Sequence, residues 1–431
     1  MMGLHRVIQP VVTMSLLVVT VVFLYGCSKD EDSPYDPNYA ERRTVMVYMV
    51  AENSLNGNVA ADVNEMLEGM RDNALYESDR LVIYLDDVGK PRIYEMNRST
   101  SSQKLSDLTP VKTYDEDVNS ASPQQLGSFI AYAKSHYPAD SYGLVLWSHA
   151  SGWIPFSDSS DRRQVAQIGN GSVSNASSSY RRRYSFGLDN EKNTSSKGVG
   201  GYEMDIDEMV QVIQEQGGVD FILFDACLMQ SVEVAYELRH ATQYIVASPA
   251  EIPYFGAEYA SMVKAMFRKN DYVQQMVSAY YNAYSTLPMR NMYGSVISAI
   301  KTSELESFAA YMRPILKVHQ ETLSQFTSNS TLNYFHYDQW GYYPDAFDIQ
   351  GVMKRILTES DFNTWKEQLA KIMAVPCMHT PSWYSAYPSS MIPVDDSECS
   401  GVSMYIPLEK YSSSYNNAYY QMEWGKFVWK E

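Results

Sequence analysis

The chain has 431 residues and a formal net charge of −17, from 51 acidic against 34 basic side chains, which argues against nucleic acid as a partner and leaves basic ligands open. Its length can bury a sizeable core and suggests two or three domains. Four cysteines are too few for a disulfide scaffold.

Residues 1–27 read as a processing signal. His5 and Arg6 precede an apolar stretch from Val11 to Leu24, and Leu24-Tyr25-Gly26-Cys27 closes it. That ending resembles the bacterial lipoprotein cleavage box, which implies diacylation of Cys27 and a hold on the membrane through its lipid. The stretch is short for a transmembrane span of about 20 residues. Residues 28–41 form a tether, in which Ser28-Lys29-Asp30-Glu31-Asp32-Ser33 is too polar to fold alone. The tract reads either as a solvated linker or, by resemblance to some Bacteroidetes lipoproteins, as a signal for export to the cell surface. The expected location is the cell envelope, lipid-anchored in the outer membrane.

Arg42 to Val50 predicts a first buried strand, with Ala51 to Leu55 as the loop at its end. Val59, Val63, Met66 and Leu67 recur at helical spacing and predict a helix over 58–70. Arg80 to Asp87 is the second strand and Pro91 to Met96 a third. Ser122-Pro123-Gln124-Gln125 is a capping box with proline at the first helical position, and Pro138 ends that helix at or before Tyr137. Tyr142 to His149 is another buried strand, ending in a histidine. Such alternation points to an α/β sheet.

Ile154 to Gly201 is long and irregular. Its centre, Gly171 to Tyr180, is too serine-rich to pack, and Arg181-Arg182-Arg183 follows, flanked by Arg162, Arg163, Lys192 and Lys197. This composition predicts an exposed loop open to proteolysis. A helix is expected from Tyr202 to Ile213, with Asp205 and Glu208 at capping-box spacing. Phe221 to Phe224 then reads as a strand with no solvent face, and Asp225-Ala226-Cys227 lies where it stops, before a helical pattern over 231–238.

Cysteine is often a small buried hydrophobe, and a histidine at a strand end is often structural. Two strands ending in His149 and Cys227 suggest more, because adjacent parallel strands lie about 4.8 Å apart and their carboxyl-end loops face one crevice. The pair fits a cysteine nucleophile and its base. Cys377 and Cys399 can pair in an oxidising compartment, which leaves Cys227 as the odd thiol.

Beyond it, Gln243 to Pro249 predicts a strand, with a loop over 250–259. Helices are expected at 259–267, 272–284, 303–326 and 362–373, and strands at 295–300 and 401–407. The residues divide into a catalytic domain over 42–289, containing the 154–201 loop, and a mixed α/β region over 290–431 packed on it.

Thr44 to Leu55, Leu144 to Trp153, Asp225 to Met229 and Gly401 to Pro407 together resemble the clostripain-type cysteine peptidases, which are similar in fold to caspases and gingipains. The specific signal is Trp147-Ser148-His149-Ala150-Ser151-Gly152-Trp153 combined with Asp225-Ala226-Cys227-Leu228-Met229. The family usually has Asp before the histidine and Gly after it, where this chain has Ser148 and Ala150. The resemblance implies a caspase-like, mostly parallel sheet flanked by helices. It also implies an endopeptidase with Cys227 as nucleophile, His149 as general base and acid, and backbone N–H groups at Cys227 and near Ala150 for the oxyanion.

Cleavage after Arg or Lys is implied too. By the resemblance Asp225 lines the pocket for the basic side chain; the loop over 250–258 departs from the family's acidic, glycine-rich version and offers Glu251 and Glu258 for a second acid. Family members are often cut between the histidine and the cysteine, which makes Arg181, Arg182 and Arg183 candidates for self-cleavage. No cofactor is assigned: some relatives depend on calcium, and the chain has no His-Glu-x-x-His stretch, phosphate loop or paired metal-ligand motif. A monomer acting on polypeptides with basic residues is expected. Two other readings stay open: a non-catalytic binding lipoprotein on this scaffold, and a thiol hydrolase of non-peptide amides.

Overall fold

Strand β1 (Arg43–Val50) is buried at all eight positions, as a strand covered on both faces must be. The computed structural model describes residues 42–72, 74–154, 186–189, 202–286, 292–335, 345–386, 388–411 and 413–430. Cys27, the acidic tether and Arg181 to Arg183 lie outside the described residues.

The other strands are β2 (Arg80–Asp86), β3 (Arg92–Met96), β4 (Lys112–Thr113), β5 (Ser141–Trp147), β6 (Phe186–Asp189), β7 (Tyr202–Met204), β8 (Val219–Asp225), β9 (Thr242–Ala247), β10 (Val296–Lys301), β11 (Phe347–Asp348), β12 (Met373–His379), β13 (Ser382–Ser385), β14 (Ser390–Pro393) and β15 (Ser403–Met404). Nine of them form one sheet in the order β12-β10-β9-β8-β5-β1-β2-β3-β4. The centre, β2-β1-β5-β8-β9, is parallel, and the strands outside it are antiparallel. This is the α/β, mostly parallel sheet flanked by helices that the apolar runs imply.

Alternate residues of each strand feed two cores. Tyr48, Tyr84, Leu146 and Phe224 face one, with the helices Pro123–His136, Ile206–Glu215 and Leu305–Val318. Val47, Ile83, Val145 and Leu223 face the other, with Val59–Met70, Tyr259–Met266 and Tyr272–Ser285. The predicted cap at Ser122 is present, its hydroxyl accepting the Gln125 N–H at 3.3 Å with Pro123 at the helix start.

Several expectations are corrected. The helix over 303–326 changes at His319 into two, Leu305–Val318 and Gln320–Ser324. The helix expected from Tyr202 begins at Ile206, because Tyr202 to Met204 pairs with β6 instead. The strand over 401–407 shrinks to β15, since Gly401 turns with φ 73° and only Ser403 and Met404 pair with β11. The edge strand β12 and the helix Ile349–Ile356 were not anticipated. Cys377 and Cys399 are thiols with their sulfurs 3.5 Å apart.

The chain leaves β1 toward β2, β3 and β4, then returns to place β5 on the other side of β1. The switch in direction between β1 and β5 opens the crevice where ligands bind in such sheets. Next to it, β5 and β8 pair with Gly143 opposite Phe221 and Trp147 opposite Asp225. Phe221 lies over Gly143 so closely that a Cβ there would meet its ring at 2.1 Å. Gly143→Ala is therefore expected to destabilise the protein by about 1–3 kcal/mol through overpacking, measured as a lower urea midpoint with an unchanged slope.

Candidate active site

His149 lies two residues beyond Trp147 on β5, and Cys227 two residues beyond Asp225 on β8. Because Trp147 and Asp225 are register partners, the two candidate residues leave neighbouring strands at the same level. Both are half-buried.

The histidine side is built from β1 and β6. Ser148 donates its hydroxyl to the Val50 carbonyl at 2.8 Å and accepts the Leu188 N–H at 3.2 Å. Gly187 donates to the His149 carbonyl at 3.0 Å, and Ala150 bridges to Phe186. Asn53 holds the loop after β1, its amide donating to Val50 O at 2.9 Å and Leu188 O at 2.8 Å. That loop brings the Ser54 hydroxyl to 2.8 Å from His149 Nε2. Ser54 was not singled out from sequence; a lone loop serine carries no pattern, and only the tertiary contact identifies it.

On the cysteine side, Leu228 takes a left-handed φ of 66°, a strained conformation for a branched side chain. Its N–H donates to Ala250 O at 3.0 Å, and the Ile252 N–H donates to Cys227 Sγ at 3.3 Å. Gly152 has φ 68°, and a Cβ there would sit 2.9 Å from the Leu228 carbonyl oxygen. The Gly-Trp of the histidine motif is thus glycine for two reasons: the backbone conformation, and close packing of one loop on the other. The backbone N–H groups of Ala150 and Cys227 donate to no acceptor among the described residues.

Asp225 is 3% exposed. Its carboxylate accepts the Ala257 N–H at 3.1 Å and the Tyr259 hydroxyl at 2.9 Å. Gly256 passes so close that a Cβ would lie 2.6 Å from Asp225 Oδ2. Tyr259 and Gly256, also missed from sequence, fix this carboxylate beneath the cysteine turn. Glu251 is buried as well, its carboxylate accepting the Ser385 hydroxyl, and the Ala386 N–H at 3.2 Å.

These surroundings keep the pair uncharged. Burial pushes the Cys227 thiol up to about 12; the Ile252 N–H opposes this, while the Glu251 and Asp225 charges add to it. Burial lowers His149 below its ordinary value. A neutral thiol can react with a neutral imidazole as its base once the proton passes from sulfur to nitrogen as the sulfur attacks.

The clostripain family model matches residues 47–173 and 188–430. Clostripain from Hathewaya histolytica is 27% identical over 224 residues, which cover 48% of this chain and 38% of that protein, so the chain spans well under two thirds of that relative's length. A secreted C11 cysteine protease from Bacteroides thetaiotaomicron, solved in complex with an irreversible peptide inhibitor, superposes with a TM-score of 0.70 at 30% identity, covering 90% of this chain and 99% of that one. An inactive zymogen C11 protease from Parabacteroides distasonis gives a TM-score of 0.70 at 29% identity over 90% and 97% of the two chains.

The raised thiol sets a test on the free protein. Alkylation of Cys227 by iodoacetamide is expected to accelerate about tenfold per pH unit from pH 7 to 9 without levelling, whereas an ordinary thiol levels off above about pH 8.5. A plateau below pH 8, read by mass spectrometry of the Cys227 peptide, contradicts this electrostatic account.

Proposed function

The chain belongs to the clostripain family of cysteine peptidases, and from that premise we propose that it is an endopeptidase cleaving polypeptides after basic residues through a Cys227/His149 dyad. The observation that most supports this reading is the β5–β8 register, which aligns the two strand ends.

In the proposed reaction, Cys227 attacks the peptide carbonyl as its proton passes to His149. The Ala150 and Cys227 N–H groups, which have no internal acceptor among the described residues, receive the developing oxyanion. The imidazolium then protonates the leaving amine. A thioester remains on Cys227, and water activated by the same imidazole hydrolyses it. Ser54 fixes the imidazole ring from the β1 side.

Asp225 supplies the charge for an Arg or Lys side chain, and Glu251 adds to the negative potential. Burial raises the thiol, and the charges of the same two acids add to it. A substrate cation beside Asp225 offsets part of that repulsion, so recognition and activation of the nucleophile act together. Peptide substrates with Arg, Lys and uncharged residues before the cleaved bond provide the test. Wild type is expected to favour the basic pair, Cys227→Ala and His149→Ala to abolish turnover, and Asp225→Asn to lower kcat/KM for the Arg substrate by about 30-fold or more, the effect of breaking one buried charge pair. Cys227-independent turnover, or equal turnover of all three substrates, defeats the respective half of the proposal.

We further infer that the chain acts as a monomer, held at the cell envelope by lipid on Cys27. Among the described residues no helix is long and apolar enough to cross a membrane. The domain division at 289/290 stays part of this reading, with β10 and β12 continuing the sheet of the proposed catalytic portion.

Self-cleavage after Arg181, Arg182 or Arg183 is the proposed activation step. The neutral resting pair suits an uncut precursor. On prolonged incubation wild type is expected to give two fragments, with a new amino terminus following one of these arginines, while Cys227→Ala stays whole. A single band in both proteins counts against self-processing.

A further inference from the structure

Large exposed apolar side chains gather on one part of the surface. Of the eight among the described residues, Tyr254, Met292, Tyr384 and Met391 are 36–71% exposed and belong to three segments that pack together: the loop after β9, the turn before β10 and the β13–β14 hairpin. Half-buried neighbours join their rings into a strip, with centroids 5.9 Å apart from Tyr254 to Phe255, 5.5 Å from Phe255 to Tyr293 and 6.2 Å from Tyr293 to Tyr384. The Tyr384 N–H donates to the Tyr293 carbonyl at 2.6 Å, which fixes the hairpin to the turn. Within the hairpin Tyr384 and Met391 are register partners, so they project from the same face, while Trp383 and Ser385 turn inward and are buried. One end of the strip lies at the candidate nucleophile. Ile252, whose N–H donates to Cys227 Sγ at 3.3 Å, is two residues from Tyr254, which places their Cα atoms at most about 7.6 Å apart. The other end is braced to the same loop, since the Glu251 carboxylate accepts the Ser385 hydroxyl and the Ala386 N–H.

We propose that this strip is a subsite for bulky apolar side chains of the substrate polypeptide, on one flank of the cleaved bond and within about five residues of it. The assignment rests on the peptidase reading, with Cys227 as the nucleophile. Alternate side chains of an extended peptide share one face and recur about every 6.6–6.8 Å, close to the spacing of the rings, so two or three of them can seat on successive rings. Aromatic rings and a thioether offer apolar contact and little to hold a charge, which sets the strip apart from the acidic pocket proposed at Asp225. Four side chains at these exposures present well under the roughly 800 Å² per partner that a stable dimer covers. A short peptide segment therefore suits the strip better than a second copy of the chain.

The test uses the full chain and three peptides with a central arginine in glycine and serine flanks. One carries Leu and Phe at alternate positions before the arginine, one carries them after it, and one carries neither. Affinity is read by calorimetry on Cys227→Ala, and kcat/KM on the enzyme with its cysteine. One of the two apolar peptides is expected to bind about tenfold more tightly than the plain one, and in turnover the gain to lie in KM rather than kcat, because these contacts are made equally before and during the reaction. Tyr254→Ala and Tyr384→Ala are each expected to cut that ratio to about threefold or less, Tyr384→Phe to keep it, and Val88→Ser, an exposed apolar position outside these segments, to keep it too. Discrimination in binding without turnover of any peptide counts against the peptidase reading and leaves the surface standing. Equal affinity and equal kcat/KM for all three peptides, whether or not they are cut, overturns the subsite, as does a ratio unchanged in the Tyr254→Ala/Tyr384→Ala double variant. A concentration-dependent dimer in sedimentation that Tyr384→Ala abolishes, with no discrimination among peptides, assigns the strip to a second copy and overturns it likewise.

Discussion

The parallel register between β5 and β8 is the constraint on which the rest of the site depends. In a pleated strand a slip of one residue turns every side chain to the opposite face. Here such a slip would move Trp147 out of its core and separate the levels of His149 and Cys227. The register is held by shape, because Phe221 covers the one position on β5 that has no side chain. The same pairing brings the loops after the two strands together, where Gly152 meets the Leu228 carbonyl. Backbone fit in the sheet thus becomes backbone fit at the site further along both strands.

Electrostatics oppose the nucleophile until something enters. With the thiol near 12, only about one molecule in 10⁵ carries a thiolate at neutral pH. Free energy that would make the resting sulfur reactive is withheld by burial and by two carboxylates. A thiol in this setting resists oxidation and alkylation, both of which need the thiolate. The two acids add through space to what burial does to the sulfur.

Much of this was legible in the sequence because the central strands are covered on both faces. Apolar runs at 45–50, 81–85, 144–147 and 221–224 read as buried strands at that length, and the glycine and proline punctuation between elements helps to mark their ends. The sheet's edge was not legible. Met373 to His379 has one buried residue in seven and contains Pro376, so it offers neither alternation nor a continuous run, yet pairing with β10 recruits it. At the site, Asp225, Cys227 and His149 stand in compact motifs, whereas Ser54, Gly256 and Tyr259 contribute through contacts between distant segments.

The two sides of the crevice differ in how they are held. Cys227 sits between β8 and the loop at 250–257, tied by Leu228 to Ala250, by Ile252 to the sulfur and by Ala257 and Tyr259 to Asp225. All of these lie within 35 residues of continuous chain. His149 instead leans on β6, four residues bounded on both sides by the polar, basic segments that part it from β5 and β7 in sequence. Phe186 and Asp189 of β6 are fully buried, and among the described residues Gly187 and Leu188 tie it to His149, Ser148 and Asn53. The histidine side therefore rests on contacts between segments distant in sequence, whereas the cysteine side is held by its own neighbours along the chain.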